Sequence, residues 1–526
     1  MNASPAQPQL CARLLQSEPR LADAAAAHAR VLPERVLQFG EGNFLRGFVD
    51  WMLERMNRQG LFQGRAVLVQ PIADGASERI NQQDGLFTVL LRGVEGNVRN
   101  EASELVTSVS RCIDPHVEFD AFLACARQPE LRFVVSNTTE AGIRLDAGDH
   151  LDARPSRSFP GKLTQLLYAR YRHFEGDPGR GLIVLPCELI ERNGDALSRA
   201  VLELAAAWQL DALFVAWLQH SCVFANTLVD RIITGYPEDE AGELAQRFGY
   251  RDALVVAGEL FHSWVIECPR PLEEELPLAA AGLGVVWTSD MTPYRERKVR
   301  ILNGAHTLVC LAAFLDGKDT VRECMEDPLF REYVEGAIFE EILPTLHLPP
   351  AELSSFAESV LERFESPFIR HQLLSISLNS VSKYKARILG TVLDNRRRFG
   401  RSSPRLGFAL AALVAFYRGR ELAGSALMGS RGAAAERRHP AQLREDYAIR
   451  DELPVLQFFL GAWQRADALG CSREACAQLV VDLLAERDFW GAHADQLPPE
   501  FAAEVGAQLH AICSLGVRGA LEALRS

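Results

Sequence analysis

The stretch Tyr294–His306 (YRERKVRILNGAH) holds a lysine, an asparagine and a histidine at a spacing that could reduce a carbonyl. Thr292-Pro293 reads as an N-cap followed by proline at the first helical position, so a helix is expected over 293–315. At ~100° per residue, Lys298, Asn303 and His306 fall within an arc of roughly 140°, with the last two adjacent at i, i+3. Carbonyl reduction needs a hydride donor, a proton donor and a group that holds the developing alkoxide. A lysine can give the proton if burial brings its pKa from ~10.4 toward ~7–8. An asparagine amide can donate a hydrogen bond to the oxygen, and a histidine can orient a substrate hydroxyl. Asn303-Gly304 puts two poor helix formers inside the helix, a broken local rule of the kind expected at a functional site. Spacing alone leaves a competing description open: a surface lysine, a helix-kinking asparagine and a satisfied core histidine.

A hydride donor needs a seat. The run Arg35–Phe39 reads as a strand that enters Gly40-Glu41-Gly42-Asn43-Phe44-Leu45-Arg46-Gly47 and then a helix. Gly40 and Gly42 allow a tight turn and close approach to a pyrophosphate, and the helix start supplies unpaired N–H groups and partial positive charge. The third glycine of the usual GxGxxG is replaced by Leu45, and Arg46 could add a cationic contact. The residues expected around a dinucleotide here are Phe39, Gly40, Gly42, Asn43, Phe44 and Arg46. A GxG turn alone is also an ordinary strand–helix connection; its place on the first strand of an α/β half favours the dinucleotide. Asn137, Thr138 and Glu140 follow another strand end, where ligands lie in open α/β sheets, and Asn137 is expected near the nicotinamide ribose. The second strand ends at Val69-Gln70-Pro71, with no acid before Asp74 and no basic residue before Arg79. The lack of a clamp for a 2′-phosphate favours NAD.

The elements that must carry these groups change texture along the chain. Residues 1–32 read as a mobile or weakly helical lead-in. Strands are expected at 35–39, 65–70, 86–91, 131–136, 181–186 and 283–288, with helices near 44–57, 162–171 and 194–208. Strand–helix alternation implies parallel pairing, hence an α/β fold with an N-terminal Rossmann-type doubly wound sheet. From Thr292 helical patterns dominate, at 293–315, 326–343, 351–364, 369–393, 404–418, 451–468, 472–487 and 498–523. A second, mostly α-helical C-terminal domain is expected there. The expected division is 1–290 for the dinucleotide-binding domain and 291–526 for the helical substrate domain. Residues 421–440 read as a surface loop.

Bulk composition narrows the function classes. A chain of 526 residues exceeds one ordinary domain, and 48% hydrophobic with 24% charged residues is globular composition. A net charge of −13 argues against nucleic acid as a partner but allows a local positive pocket for a small anion. The eleven cysteines are scattered without CxxC spacing, Cys471 and Cys476 being the closest pair, so reduced thiols and no metal are expected. The first twenty residues lack the apolar core of a signal peptide, and the longest apolar run, Leu406–Tyr417, is too short for a bilayer. A cytoplasmic protein without a membrane partner is the expectation; oligomeric state is not legible.

Several stretches carry a resemblance: VLQFGEGNFLRGFVDW (36–51), QDGLFTVLLRG (83–93), RFVVSNTTEAGI (132–143), LPCELIERNGDAL (185–197), TLVDRIITGYP (227–237), YRERKVRILNGAH (294–306) and HQLLSISLNSVSKYKARIL (371–389). Together they resemble the long-chain polyol dehydrogenases, the mannitol dehydrogenase family, and within it a branch acting on sugar acids. The resemblance implies a Rossmann domain, a helical domain, a site between them, and metal-independent chemistry. It implies Lys298 as the general acid/base, Asn303 and His306 holding the reacting oxygen, Asp230 on substrate hydroxyls, and Lys383 as the family's SxK lysine. Mannitol-type members carry an asparagine where this chain has Leu189 and a substrate-binding arginine where it has Ser375. A keto sugar acid, with Lys383, Lys385 or Arg387 meeting its carboxylate, fits those departures better than a neutral polyol. The competing description of these three cations is a solvated basic face. The alternatives in function are a different keto sugar acid, a polyol of the mannitol type, or a non-catalytic dinucleotide-binding regulator.

Overall fold

The computed structural model describes residues 7–95, 98–138, 142–270, 272–368, 370–431 and 445–525. The chain divides between Met291 and Thr292 into two compact units. In the first, six strands form one parallel sheet: Glu34–Phe39 (β1), Arg65–Val69 (β2), Val109–Ile113 (β3), Phe133–Ser136 (β4), Ile183–Pro186 (β5) and Val223–Phe224 (β6). Their order is β3-β2-β1-β4-β5-β6. The chain therefore winds outward twice from β1, and the order reverses between β1 and β4, where a ligand crevice is expected at the strand ends.

The sheet is apolar on both faces. Val36, Leu68, Phe133, Val135 and Ile183 pack on one side, and Leu37, Phe39, Val67, Val134 and Val184 on the other. That alternation is the period-two pleat, and burial of both faces is what helical crossovers impose. Helices Phe159–His173 and Asn193–Ala207 supply two of those crossovers.

Several expectations need correction. The run expected as a strand at 86–91 is real, Phe87–Glu95, but it belongs to a separate four-stranded sheet with Val98–Val106, Val256–Glu259 and Ile233–Gly235. Most of Val98–Val106 is exposed or half-buried, as in a sheet with one wet face, and searching for apolar runs misses such strands. The place in the main sheet goes to β3, whose half-polar VSRCI carries little strand signal. Val285–Thr288 joins a three-stranded sheet with Ser263–Glu267 and Asn226–Asp230. The described part of the lead-in is not loose: helices Ala12–Ser17 and Ala22–His28 form, and Leu10, Leu14 and Leu15 are buried against Leu86 and Tyr250.

The second unit is helical around Thr292–Leu315. Among the described residues this is the one helix long and apolar enough to cross a membrane, and 72% of its most apolar stretch is buried inside the fold. Helix Pro404–Phe416, the longest apolar run of the sequence, packs in the same core. Two corrections apply here. The expected helix over 369–393 is broken at Asn379, whose φ of +53° ends the first turn before Ser380–Tyr384 begins. The supposed surface loop and its flanks form a three-stranded antiparallel sheet, Gly419–Ala423, Ala426–Arg431 and Glu445–Ile449, burying Leu427, Tyr447 and Ile449. Residues 432–444 of that stretch lie outside the described residues.

Candidate active site

In the first unit, β1 ends at Phe39 and turns at Gly40, which has φ +115°. A Cβ there would stand 2.8 Å from the Asn137 carbonyl oxygen, so only glycine lets the ends of β1 and β4 come this close. Gly42 is different: a Cβ would meet nothing within 4 Å, and both Gly42 and Asn43 are exposed. No side chain caps the helix that starts at Asn43, so its first N–H groups have no capping acceptor. An exposed glycine at an uncapped helix start, at the point where strand order reverses, fits a dinucleotide pyrophosphate.

The other residues expected around the cofactor divide. Asn137 donates from its backbone N to the Phe39 carbonyl (3.0 Å) and from Nδ2 to the Cys187 carbonyl (2.7 Å), which binds the ends of β1, β4 and β5 together. Thr138 donates from N (3.0 Å) and Oγ1 (3.1 Å) to Glu188. Glu188, which the sequence reading did not single out, is 3% exposed and also accepts from Ser136 Oγ at 3.0 Å. Burial raises its carboxyl above the usual range, against the pull of these donors. Phe39 lies in the core against Phe122 and Phe159, so it offers only backbone to a ligand, and Phe44 stacks on Phe48 at 5.1 Å. Glu140 lies outside the described residues.

Arg46 is drawn into the fold. It is 5% exposed, and its guanidinium donates to the Glu41 carbonyl (3.1 Å), Asn43 Oδ1 (2.7 Å) and the Leu254 carbonyl while lying over Phe87. Three of its five N–H donors are thus engaged, two on the turn and one on the distant Leu254 carbonyl, so Arg46 stiffens the turn and ties it to a neighbouring segment. Gln70, where an acid often meets the ribose, is likewise committed: Nε2 donates to the Ile72 (2.9 Å) and Ala73 (3.2 Å) carbonyls. Asp230 ends strand Asn226–Asp230, in register with Ser263, and is 7% exposed.

In the second unit, Lys298–Asn303 is a π-helical segment within Thr292–Leu315. Among the described residues π-helical segments occur at Arg46–Asp50, Lys298–Asn303, Ala337–Ile342 and Lys385–Leu389. Such bulges are frequent at functional sites, and three of these four hold residues the sequence reading selected. Lys298 and Asn303 are half-buried, and His306 is 9% exposed. Its ring packs at a tilt on Phe364 (4.3 Å) and meets His371 edge-on (4.7 Å). Burial, then His371, Arg363 and Arg387, hold His306 well below the ordinary histidine range, so the ring is neutral.

The basic residues of the helix Ser380–Tyr384 and the π segment Lys385–Leu389 sort by direction. Lys383 donates from Nζ to the Ile376 carbonyl (2.8 Å), and Arg387 donates from Nη1 to Thr307 Oγ1 (3.1 Å). Burial lowers both, and the like charge of Arg387 lowers Lys383 further. Neither has a carboxylate in ion-pair contact among the described residues. Lys385 departs from this group: its Nζ lies toward Gly491, where an added Cβ would stand 3.5 Å away. His371 carries little signal in sequence beyond opening the stretch already marked by Lys383. By contrast Arg300, on the same bulge as Lys298, is held by Asp394 at 2.7 Å.

The doubly wound parallel sheet and the relatives of this chain define the class: an oxidoreductase acting on a CH–OH group. The chain belongs to the mannitol dehydrogenase family, with residues 34–279 matching its Rossmann domain and residues 290–459 its C-terminal domain. It is similar to altronate oxidoreductase of Klebsiella pneumoniae (strain 342), 45% identical over 496 residues, covering 94% of this chain and 97% of that one. Altronate oxidoreductase of Escherichia coli O139:H28 is 44% identical with the same coverage. Among solved structures, D-sorbitol dehydrogenase in substrate-free form superposes with a TM-score of 0.74 at 22% identity, covering 93% of this chain and 95% of that one. Pseudomonas fluorescens mannitol 2-dehydrogenase, in a ternary complex with NAD and D-mannitol, gives 0.66 at 23% identity, covering 98% and 99%. At that identity the two structures establish the shared fold.

Proposed function

We propose that the protein interconverts D-tagaturonate and D-altronate with NAD as cofactor, in hexuronate catabolism. The observation that carries this reading is the pair Lys383 and Arg387, half-buried neighbouring cations, Arg387 near His306, with no carboxylate in ion-pair contact among the described residues. Burying charge without a partner is costly, and a substrate carboxylate would supply the missing partner. Relatives named altronate oxidoreductase support the same substrate class. The solved mannitol 2-dehydrogenase complex with NAD supports the cofactor.

When bound at Gly40–Asn43, with Asn137 and Thr138 at the neighbouring strand end, NADH supplies the reducing equivalent that the keto carbon gains. Lys298 gives its proton to the keto oxygen and is reprotonated from solvent; in the oxidative direction it takes that proton as a base. The Asn303 amide donates to the same oxygen as negative charge develops. Neutral His306 orients a neighbouring hydroxyl, Asp230 accepts from substrate hydroxyls, and Lys383 and Arg387 pair with the carboxylate.

Initial rates of NADH oxidation with tagaturonate, fructuronate and fructose test this. Tagaturonate should be the preferred substrate, and a clear preference for fructose overturns the sugar-acid assignment. Arg387→Gln should raise KM for tagaturonate by roughly 10–100-fold, the worth of hydrogen bonds to a charged group, and leave any fructose rate where it was. Lys298→Ala should lower kcat by roughly 10²–10⁴ with NADH binding retained; unchanged turnover refutes its role as proton donor.

A further inference from the structure

The first unit holds a cavity that the chemistry above does not use. Its volume is about 510 Å³, within the range of small-molecule sites. One wall is the lead-in, from Arg20 through helix Ala22–His28 to Arg30 and Leu32; the other includes Glu54, Asn57 and Arg58. Residues 20–32 lie ahead of the match to the family's Rossmann domain, which begins at residue 34. The opposite wall is the last turn of the helical stretch whose start forms the Gly40–Asn43 turn.

The charges lining the cavity do not cancel. The lining holds Arg20, Arg30, Arg58 and Arg65 against Asp23 and Glu54, an excess of two positive charges among the lining residues, with Glu18 beside Arg20 and Glu104 3.8 Å from Arg58 just outside it. Glu54 is 1% exposed and fully engaged, accepting from Arg58 Nε (2.9 Å), Thr107 N (2.8 Å) and Thr107 Oγ1 (3.0 Å). Arg20 is held by the Gly249 carbonyl (3.0 Å) and Glu18 (3.4 Å). Arg30 and Arg65 have no carboxylate in ion-pair contact among the described residues. Arg30 makes one long bond, to the Asn57 carbonyl at 3.5 Å. Arg65 donates from Nη2 to the His28 and Arg30 carbonyls, while its Nε is buried without a partner. Leu21, Ala24, Ala27, Leu32 and Leu105 complete the lining with apolar surface.

Two unpaired guanidiniums beside an apolar wall call for a ligand with an anionic head and a compact apolar body, since guanidinium forks match phosphate and carboxylate geometry. We propose that this cavity is a second ligand site, separate from the dinucleotide turn, for a small organic phosphate or carboxylate.

Calorimetric titration of the full chain, saturated with NADH and held at constant ionic strength with chloride, tests the proposal. The probes are phenyl phosphate, benzoate and the uncharged benzyl alcohol. Phenyl phosphate or benzoate should bind saturably at one site per chain, with benzyl alcohol at least on the order of tenfold weaker; the tighter of the two anions identifies the head group. Arg30→Gln removes a charge that holds little of the fold, and Ala27→Trp fills the cavity without touching charge. Each should weaken the anion on the order of tenfold or more, with wild-type melting temperature and turnover. No saturable binding of either anion overturns the site, as does binding that both variants leave unchanged.

Discussion

Arg387 and Thr307 are joined by a hydrogen bond of 3.1 Å from the guanidinium Nη1 to the hydroxyl, and that hydroxyl in turn donates to the Asn303 carbonyl at 3.0 Å. One small side chain thus ties the cation proposed for the carboxylate to the end of the π segment that begins at Lys298. Removing the hydroxyl while keeping its shape, as in Thr307→Val, unfastens both ends. A hydrogen bond to a charged group is worth about 1.5–3 kcal/mol, so KM for the sugar acid should rise roughly tenfold or more. Turnover should fall by less, because Lys298 and Asn303 keep their own side chains. Thr307→Ser should restore KM. A valine variant with wild-type KM would mean that Arg387 needs no such tether.

His306 should not titrate in the working range. Burial and the neighbouring cations hold the ring neutral, so its carbon-bound proton resonances should stay at their neutral positions between pH 6 and 8. The sign for stability follows. The unfolded chain takes up a proton at His306 below about pH 6.5 and the folded chain does not, so stability is lost as pH falls through that region. His306→Gln should flatten this acid-side loss in melting temperature. A histidine signal that titrates near 6.5 and vanishes in the variant would refute the buried, neutral ring.

The unequal legibility of these parts has physical causes. Gly40 and Gly42 are readable because a tight turn before a helix leaves few other residue types. Lys298, Asn303 and His306 are readable as a spaced set, but not their π geometry, since a one-residue change of hydrogen-bond register leaves the apolar period almost intact. Lys383, Lys385 and Arg387 are indistinguishable in sequence; only the fold turns Lys385 toward Gly491, Lys383 back onto the Ile376 carbonyl and Arg387 toward the helix of His306. What sequence does not show for Arg46 is that the cation beside the glycine turn is also held by the Glu41 carbonyl, Asn43 Oδ1 and the distant Leu254 carbonyl. Glu188 was missed because a buried acid held by Ser136 and Thr138 is created by β4 and β5 meeting, not by either alone. The strands Val98–Val106, Gly419–Ala423 and Ala426–Arg431 were missed because half-wet pairing spreads too little apolar signal along the chain.

The two glycines of the turn should respond oppositely to alanine. Gly40→Ala adds a Cβ at φ +115° and 2.8 Å from the Asn137 carbonyl oxygen, which must push β1 and β4 apart. Strain of this kind costs on the order of 1–3 kcal/mol, so the melting temperature should drop by several degrees. Gly42 has φ −69°, ordinary for any residue, and open space around it. Gly42→Ala should therefore melt like the wild type while raising KM for NADH, because the new methyl occupies the approach of the pyrophosphate. Equal loss of stability in both variants would contradict the difference between the two positions.

Asp50 lies fully buried beneath the same turn, and Gln38 Nε2 bridges its Oδ2 and the Gly40 carbonyl at 3.1 Å each. Burial pushes the carboxyl up to about 7, against the opposing pull of the Gln38 amide and Arg46. An unfolded aspartate titrates near 3.9, so between about pH 4 and 7 the folded chain holds a proton that the unfolded chain has lost. Stability must then fall with rising pH across that window, by up to about 1.4 kcal/mol per pH unit from this group, and level off above it. Asp50→Asn keeps the shape and the neutral charge of the protonated acid and removes the titration. The melting temperature of the variant minus that of the wild type should grow from pH 5 to pH 7 and stay flat from 7 to 9. A difference that is constant from pH 5 upward would show that Asp50 is already ionised in the fold, balanced by Arg46.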